Sequence, residues 1–128
     1  MPDDRTPRIL IVEDETMISM LLEDMVCDLG GHVVGAAATF EQAMTLALEA
    51  DFDLAILDVN VDGLVVYPVA DVLRHRGIRF IFMTGYDSSI IPQRYRHNCV
   101  LSKPFSHQTF SDTVGKVLAG TMAEPAPL

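Results

Sequence analysis

Between residues 8 and 102 the chain alternates short apolar runs with stretches whose apolar positions recur every three or four residues, the periods of strand and helix. The runs RILIV (8–12), HVVGAAA (32–38), LAIL (54–57), IRFIFMT (78–84) and CVLS (99–102) predict five strands, the second weakened by Gly35. Leu54 to Leu57 carry apolar side chains on every position, which suits a strand covered on both faces, and Asp58 then stands at its carboxyl end. Helical spacing links Ile18, Leu21, Leu22, Met25 and Leu29, with Gly30-Gly31 supplying a left-handed stop. A capping-box pattern, Thr39 to Gln42, opens a second helix with Phe40, Ala43, Met44, Ala47 and Leu48 on one stripe. Val66, Val69, Ala70 and Leu73 mark a third, with Pro68 in its first turn and Arg-His-Arg-Gly77 at its end. Residues 85–97 (GYDSSIIPQRYRH) carry a weak helical pattern broken by Pro92, so a short or mobile helix is expected there. Ser106 caps a last helix bearing Phe110, Val114, Val117 and Leu118. Residues 121–128 read as a frayed tail.

Strands alternating with helices imply an α/β fold, a parallel sheet covered on both faces, and right-handed crossovers reduce its topology to a few doubly wound arrangements. At 128 residues and 49% hydrophobic content, the expectation is one domain over 1–128 with its core at about 7–120. The net charge of -9 repels phosphate backbones and anionic lipid head groups, so neither nucleic acid nor a membrane is an expected direct partner. MPDDRTPR lacks the apolar core of a signal peptide, and a cytoplasmic location is the expectation. Cys27 and Cys99 show no ligand spacing and read as reduced packing residues. His32, His75, His97 and His107 are scattered, and Met17, Met20, Met25 and Met44 are expected to fill gaps in the core.

Chemistry concentrates where the strands end. If the first, third, fourth and fifth strands are neighbours, Glu13 and Asp14, Asp58, Thr84 and Lys103 emerge along one edge. Each has an ordinary structural reading: an Asp after a strand caps loops, Thr-Gly makes turns, and Lys-Pro leads into helices. Their shared topological placement favours a site instead. Carboxylates gathered there would repel by about 4 kcal/mol per close pair at an effective dielectric of about 20, so cations must join them. Lys103 brings one charge, and Mg2+ is the natural second because it is hard, prefers oxygen and tolerates few protein ligands. A carboxylate beside Mg2+ is also a nucleophile for a phosphoryl group.

ILIVEDE (9–15), AILDVN (55–60), FMTGY (82–86) and VLSKPF (100–105), in that order and spacing, resemble the receiver domain of bacterial two-component response regulators over residues 7–120. The resemblance implies a flavodoxin-like five-stranded sheet of order 2-1-3-4-5 with five helices. It also implies roles: Asp58 as phosphoacceptor, Asp14 as direct metal ligand, Glu13 as a ligand through water, and the Asn60 backbone carbonyl on the metal. Lys103 would contact the phosphoryl group, the Thr84 hydroxyl would turn inward after phosphorylation, and a cis bond would precede Pro104. The implied phosphodonor is a sensor histidine kinase or a histidine phosphotransfer protein. FMTGY is similar to the signature of the Phe-Ala-Thr-Gly-aromatic subgroup, commonly single-domain regulators served by histidine kinases of the HWE type, with Met83 in place of Ala. The chain departs from the family at Asp62, where many members carry proline, and at Val100, where an aromatic switch residue is usual. Tyr86 therefore has two readings, carrying the switch together with the 85–97 segment or packing over the pocket or the short fifth strand, and Ile90 and Ile91 are expected to be exposed hydrophobes that order on phosphorylation. Output is expected through protein contacts on the fourth helix, fifth strand and fifth helix. Two rival readings are a phosphatase of the haloacid dehalogenase type, which needs a second Asp where Asn60 stands, and a pseudo-receiver whose site is structural.

Overall fold

A computed structural model of the chain describes residues 6–85 and 91–120. Seven strands and four helices follow in the order β1 (Arg8–Val12), α1 (Thr16–Asp28), β2 (His32–Ala37), α2 (Phe40–Glu49), β3 (Leu54–Asp58), β4 (Asn60–Val61), β5 (Leu64–Val65), α3 (Tyr67–Arg76), β6 (Arg79–Thr84), β7 (Val100–Ser102) and α4 (His107–Leu118). The main sheet has the order β2-β1-β3-β6-β7, all pairs parallel, which is the flavodoxin-like arrangement that the resemblance implied. Its three central strands are buried almost throughout and divide their side chains by the two-residue period of a strand. Leu10, Val12, Ala55, Leu57, Phe80 and Phe82 join the core under α2 and α3. Ile9, Ile11, Leu54, Ile56, Ile81 and Met83 join the one under α1 and α4.

Local signals explain most element ends. Gly30 takes φ 85°, its N–H donates to Cys27 O (3.0 Å), and that of Gly31 donates to Val26 O (2.9 Å), the paired bonds of a Schellman stop. Gly77 ends α3 in the same way at φ 74°. Thr39 Oγ1 accepts from Gln42 N, and Gln42 Oε1 reaches back to Ala38 N rather than to Thr39 N, so the box closes one residue early. Ser106 caps α4 as expected. The register between β1 and β2 slips at Val34, where a bulge admits one extra residue; Gly35 follows it, and a Cβ there would stand 3.0 Å from Leu46 Cδ1.

Several expectations are corrected. Among the described residues the 85–97 segment contains a single 3-10 turn, Gln93–Tyr95, in place of a fifth helix. Pro92 has no N–H to give a helix, and Tyr95 packs inward instead. Ile91 is 1% exposed and belongs to the core, which removes it as an exposed hydrophobe; Ile90 lies outside the described residues, as does Tyr86. Met17 and Met20 are 81% and 59% exposed, and Leu21 also faces outward, because α1 buries Ser19, Leu22 and Val26 instead; on α2, which buries Ala43 and Ala47, Leu48 is exposed too. Cys27 is exposed, whereas Cys99 is buried as a packing residue. The four histidines are all exposed.

The segment after β6 is pinned by an aromatic cluster rather than by a helix. Tyr95 is fully buried, edge-on to Phe80 and Phe82 at 5.6 and 5.4 Å and stacked on Tyr67 at 6.1 Å. Its hydroxyl donates to Asp71 of α3, and the guanidinium of Arg94 lies 4.9 Å over the ring while pairing with the same carboxylate at 3.2 Å. Burial, with Asp71 beside it, pushes the Tyr95 phenol up to about 12, so it stays a donor at every physiological pH. Tyr95→Ala is expected to cost about 3–5 kcal/mol through the cavity it leaves. Tyr95→Phe is expected to cost about 1 kcal/mol, because the half-exposed Asp71 remains solvated and paired with Arg94. Urea unfolding of the two variants checks that ratio.

Candidate functional site

Because β1, β3, β6 and β7 are adjacent and parallel, their carboxyl ends meet at one rim. Val12 is paired with Leu57, Asp58 with Met83, and Thr84 with Ser102, so Glu13, Asp58, Thr84 and Lys103 leave the sheet at nearly one level. Glu13 follows β1 and is tied to β2 by its N–H on Ala37 O (3.0 Å). Lys103 is held by its N–H on Thr84 O (2.8 Å) and precedes a cis bond to Pro104.

Side-chain contacts close the arrangement. The Lys103 ammonium donates to Glu13 Oε1 (2.7 Å) and to Asp58 Oδ2 (3.1 Å). The second oxygen of each carboxylate takes a local backbone amide, Glu13 Oε2 from Glu15 N (3.1 Å) and Asp58 Oδ1 from Asn60 N (3.2 Å). Asp14 is exposed, and its Oδ2 accepts from Asp62 N (2.9 Å). One carboxylate oxygen from each of Glu13, Asp14 and Asp58 lies within 4.8 Å of the other two. Thr84 is 1% exposed at the end of β6, and Asn60 is exposed on β4.

Electrostatics in this cup are unbalanced. Burial pushes the Glu13 carboxyl from 4.5 up to about 7, with the Asp58 charge adding to the rise; the hydrogen bonds from Lys103 and from the Glu15 amide oppose it without cancelling it. For Lys103, burial alone would lower the pKa, but its bonds to Glu13 and Asp58 outweigh that and the net shift is upward. With all groups ionised, three carboxylates face one ammonium. A hard divalent cation fits the residues present: the donors are all oxygens, they are close enough to share an ion, and the residual charge of the cluster is two negative units.

The sequence reading brought Glu13, Asp14, Asp58 and Lys103 to one place, and the structure puts them there. It missed the short β4–β5 hairpin, whose Asp62 amide holds Asp14. The signal was present, since Asp62-Gly63 between apolar residues is a strong two-residue hairpin pattern. Tyr95 was also missed as a core anchor, its helical context having been broken by Pro92.

The acidic cup and its lysine lie outside the carboxyl ends of the strands, where open α/β sheets bind their ligands. Family comparison makes the class specific. The response regulator receiver domain model matches residues 9–114, and the chain belongs to that family. It is 32% identical over 124 residues to the phyllosphere-induced regulator PhyR of Methylorubrum extorquens, covering 90% of this chain but 45% of that protein. The chain thus spans less than half the length of that relative. Among solved structures, SdrG from Sphingomonas melonis Fr1 is 40% identical with a TM-score of 0.75, over 91% of this chain and 96% of that one. The receiver domain of PhyR from Erythrobacter litoralis superposes with a TM-score of 0.81 at 29% identity, over 96% and 97% of the two chains.

Glu13 makes the stability of the metal-free protein depend on pH. Its pKa is raised in the fold, so between 4.5 and about 7 the native state binds more protons than the unfolded one, and stability falls as pH rises through that window. Relative to Glu13→Gln, the wild type is expected to lose about 3 kcal/mol between pH 4.5 and pH 8 in the presence of a chelator. Urea titrations of both proteins across this range check the sign and size.

Proposed function

We propose that this chain is a receiver domain that accepts a phosphoryl group on Asp58 from a phosphohistidine donor and passes the signal on through protein contacts in the cytoplasm. The observation that carries the reading is the Lys103 ammonium set between Glu13 and Asp58, with Asp14 completing a three-carboxylate cup beside it. Glu13, Asp14, Asp58 and the Asn60 backbone carbonyl would hold Mg2+, with Glu13 reaching it through water. Bound there, the ion would neutralise charge on the phosphoryl oxygens and draw them towards the acids.

The remaining work falls to the chain's own side chains. An Asp58 carboxylate oxygen attacks phosphorus as the P–N bond to the donor imidazole breaks, and the imidazole leaves with the electron pair and takes up a proton. Lys103 is held within bonding distance of Asp58, where its charge can follow the group being transferred. Thr84, at the end of β6, is the hydroxyl that would bond a phosphoryl oxygen afterwards. Tyr86, two residues on, is the proposed switch aromatic, a role supported by the FMTGY spacing and by Val100 at the position where the family usually has an aromatic. The FMTGY signature favours a histidine kinase of the HWE type as donor, with a phosphotransfer protein as the alternative donor. The face for a downstream partner is the segment after β6 together with β7 and α4.

The haloacid dehalogenase reading has no support at Asn60, which lacks the carboxyl that a general acid needs. Incubation with acetyl phosphate and Mg2+ is expected to add one phosphoryl group to the wild type by intact-mass measurement, none to Asp58→Asn, and none in a chelator. Lys103→Ala is expected to be labelled about 100-fold more slowly. A folded wild type that stays unlabelled by acetyl phosphate and by a panel of autophosphorylated histidine kinases would leave the pseudo-receiver reading in its place.

A further inference from the structure

The chain turns back on itself directly after Asp58, and that reversal reaches the acid cup. β4 and β5 pair antiparallel, Asn60 with Val65 and Val61 with Leu64, around the two-residue turn Asp62-Gly63. The turn residues have φ of 52° and 81°, both left-handed, as a type I′ hairpin requires. Asp tolerates that conformation and Gly adopts it freely, which accounts for this dipeptide at this place.

The consequence is the direction of one N–H. Asp62 N points across 48 residues of sequence to Asp14 Oδ2, at 2.9 Å. Glu13 and Asp58 are buried and are already clamped by Lys103 and by the amides of Glu15 and Asn60. Asp14 differs from them because it is exposed, lies in the loop between β1 and α1, and lacks the lysine contact that the other two share. Its carboxylate has roughly four lone-pair sites, so one can be given to the amide while the others still face a cation.

We propose that the Asp62-Gly63 turn is a positioning element for the divalent cation: the backbone N–H of Asp62, and not its carboxylate, sets Asp14 in the ligating orientation and thereby sets cation affinity. This rests on the Mg2+ reading given above. An outer partner that fixes a ligand's rotamer typically changes metal affinity by about 10- to 100-fold, and the exposure of Asp14 places the effect at the lower end. Asp62 here is one of the chain's departures from the family pattern, and a proline there would have no N–H to donate.

The test is isothermal titration of the full, metal-free chain with MgCl2. Asp62→Pro removes the donor and, because proline cannot take φ 52°, also undoes the left-handed turn that aims it, and is expected to weaken Mg2+ binding about tenfold. Asp62→Asn keeps the N–H and tolerates the left-handed turn, and is expected to stay within about threefold of wild type. Gly63→Val keeps the N–H but forbids its direction, and is expected to fall with Asp62→Pro. Urea unfolding in a chelator verifies that each variant is folded; the hairpin lies outside the five-stranded sheet, and Gly63→Val serves if Asp62→Pro does not fold. In 15N spectra of the metal-free protein, Asp14→Asn is expected to shift the Asp62 amide, a signature that a loss of stability alone would not give. Wild-type affinity in the variant that lacks the donor overturns the proposal. So does an Asp62→Asn protein as weak as Asp62→Pro, which would assign the effect to the carboxylate. A wild type without saturable Mg2+ binding would instead overturn the metal reading on which the proposal stands.

Discussion

The ammonium of Lys103 lies between two buried carboxylates, 2.7 Å from Glu13 and 3.1 Å from Asp58, and the rest of the rim is arranged around the charge it only partly cancels. Without it, two acids that are only 1% and 8% exposed would face each other without its charge between them. Removing one partner of such a buried arrangement is far more costly than the arrangement is stabilising, because it leaves a desolvated charge alone. The lysine therefore ties the fold to its site by joining the side chains that follow β1 and β7 to the end of β3.

That balance is deliberately incomplete in physical terms. One ammonium against three carboxylates leaves the cup negative, and burial, with the Asp58 charge adding to it, raises the Glu13 carboxyl towards neutral pH. A proton and a divalent cation are alternative answers to the same charge. In the proposed function a phosphoryl group, itself an anion, would approach only when that deficit had been met, which would couple cation and phosphoryl chemistry at the level of charge.

Outside the cup, two devices hold the segments that follow β3 and β6. The β4–β5 hairpin lies between β3 and α3, and it returns a backbone amide to Asp14. After β6, the Tyr95 ring fills the space beneath the 3-10 turn, with Asp71 and Arg94 closing over it. Both devices sit on the two segments that leave the sheet next to Asp58 and Thr84, and both connect to α3, one through the chain itself and one through Asp71.

By itself the sequence determined the sheet, its parallel sense and the residues at its rim. Consecutive apolar positions such as Leu54 to Leu57 have one stable setting, under helices on both faces, and the acids, threonine and lysine follow those runs directly. Helix ends at Gly30 and Gly77, and the caps at Thr39 and Ser106, were legible for the same reason: each is decided within a few residues of chain. Contacts between distant segments decided the rest. Which face of α1 is buried, and so why Met17 and Met20 are exposed, depends on the sheet beneath it rather than on helical spacing. Ile91 and Tyr95 are core residues because Phe80, Phe82 and Tyr67 leave a space for them, and no local pattern records that space. The amide of Asp62 reaches Asp14 only once the strands are assembled, since a hydrogen bond across 48 residues is set by where two loops meet and not by the composition of either.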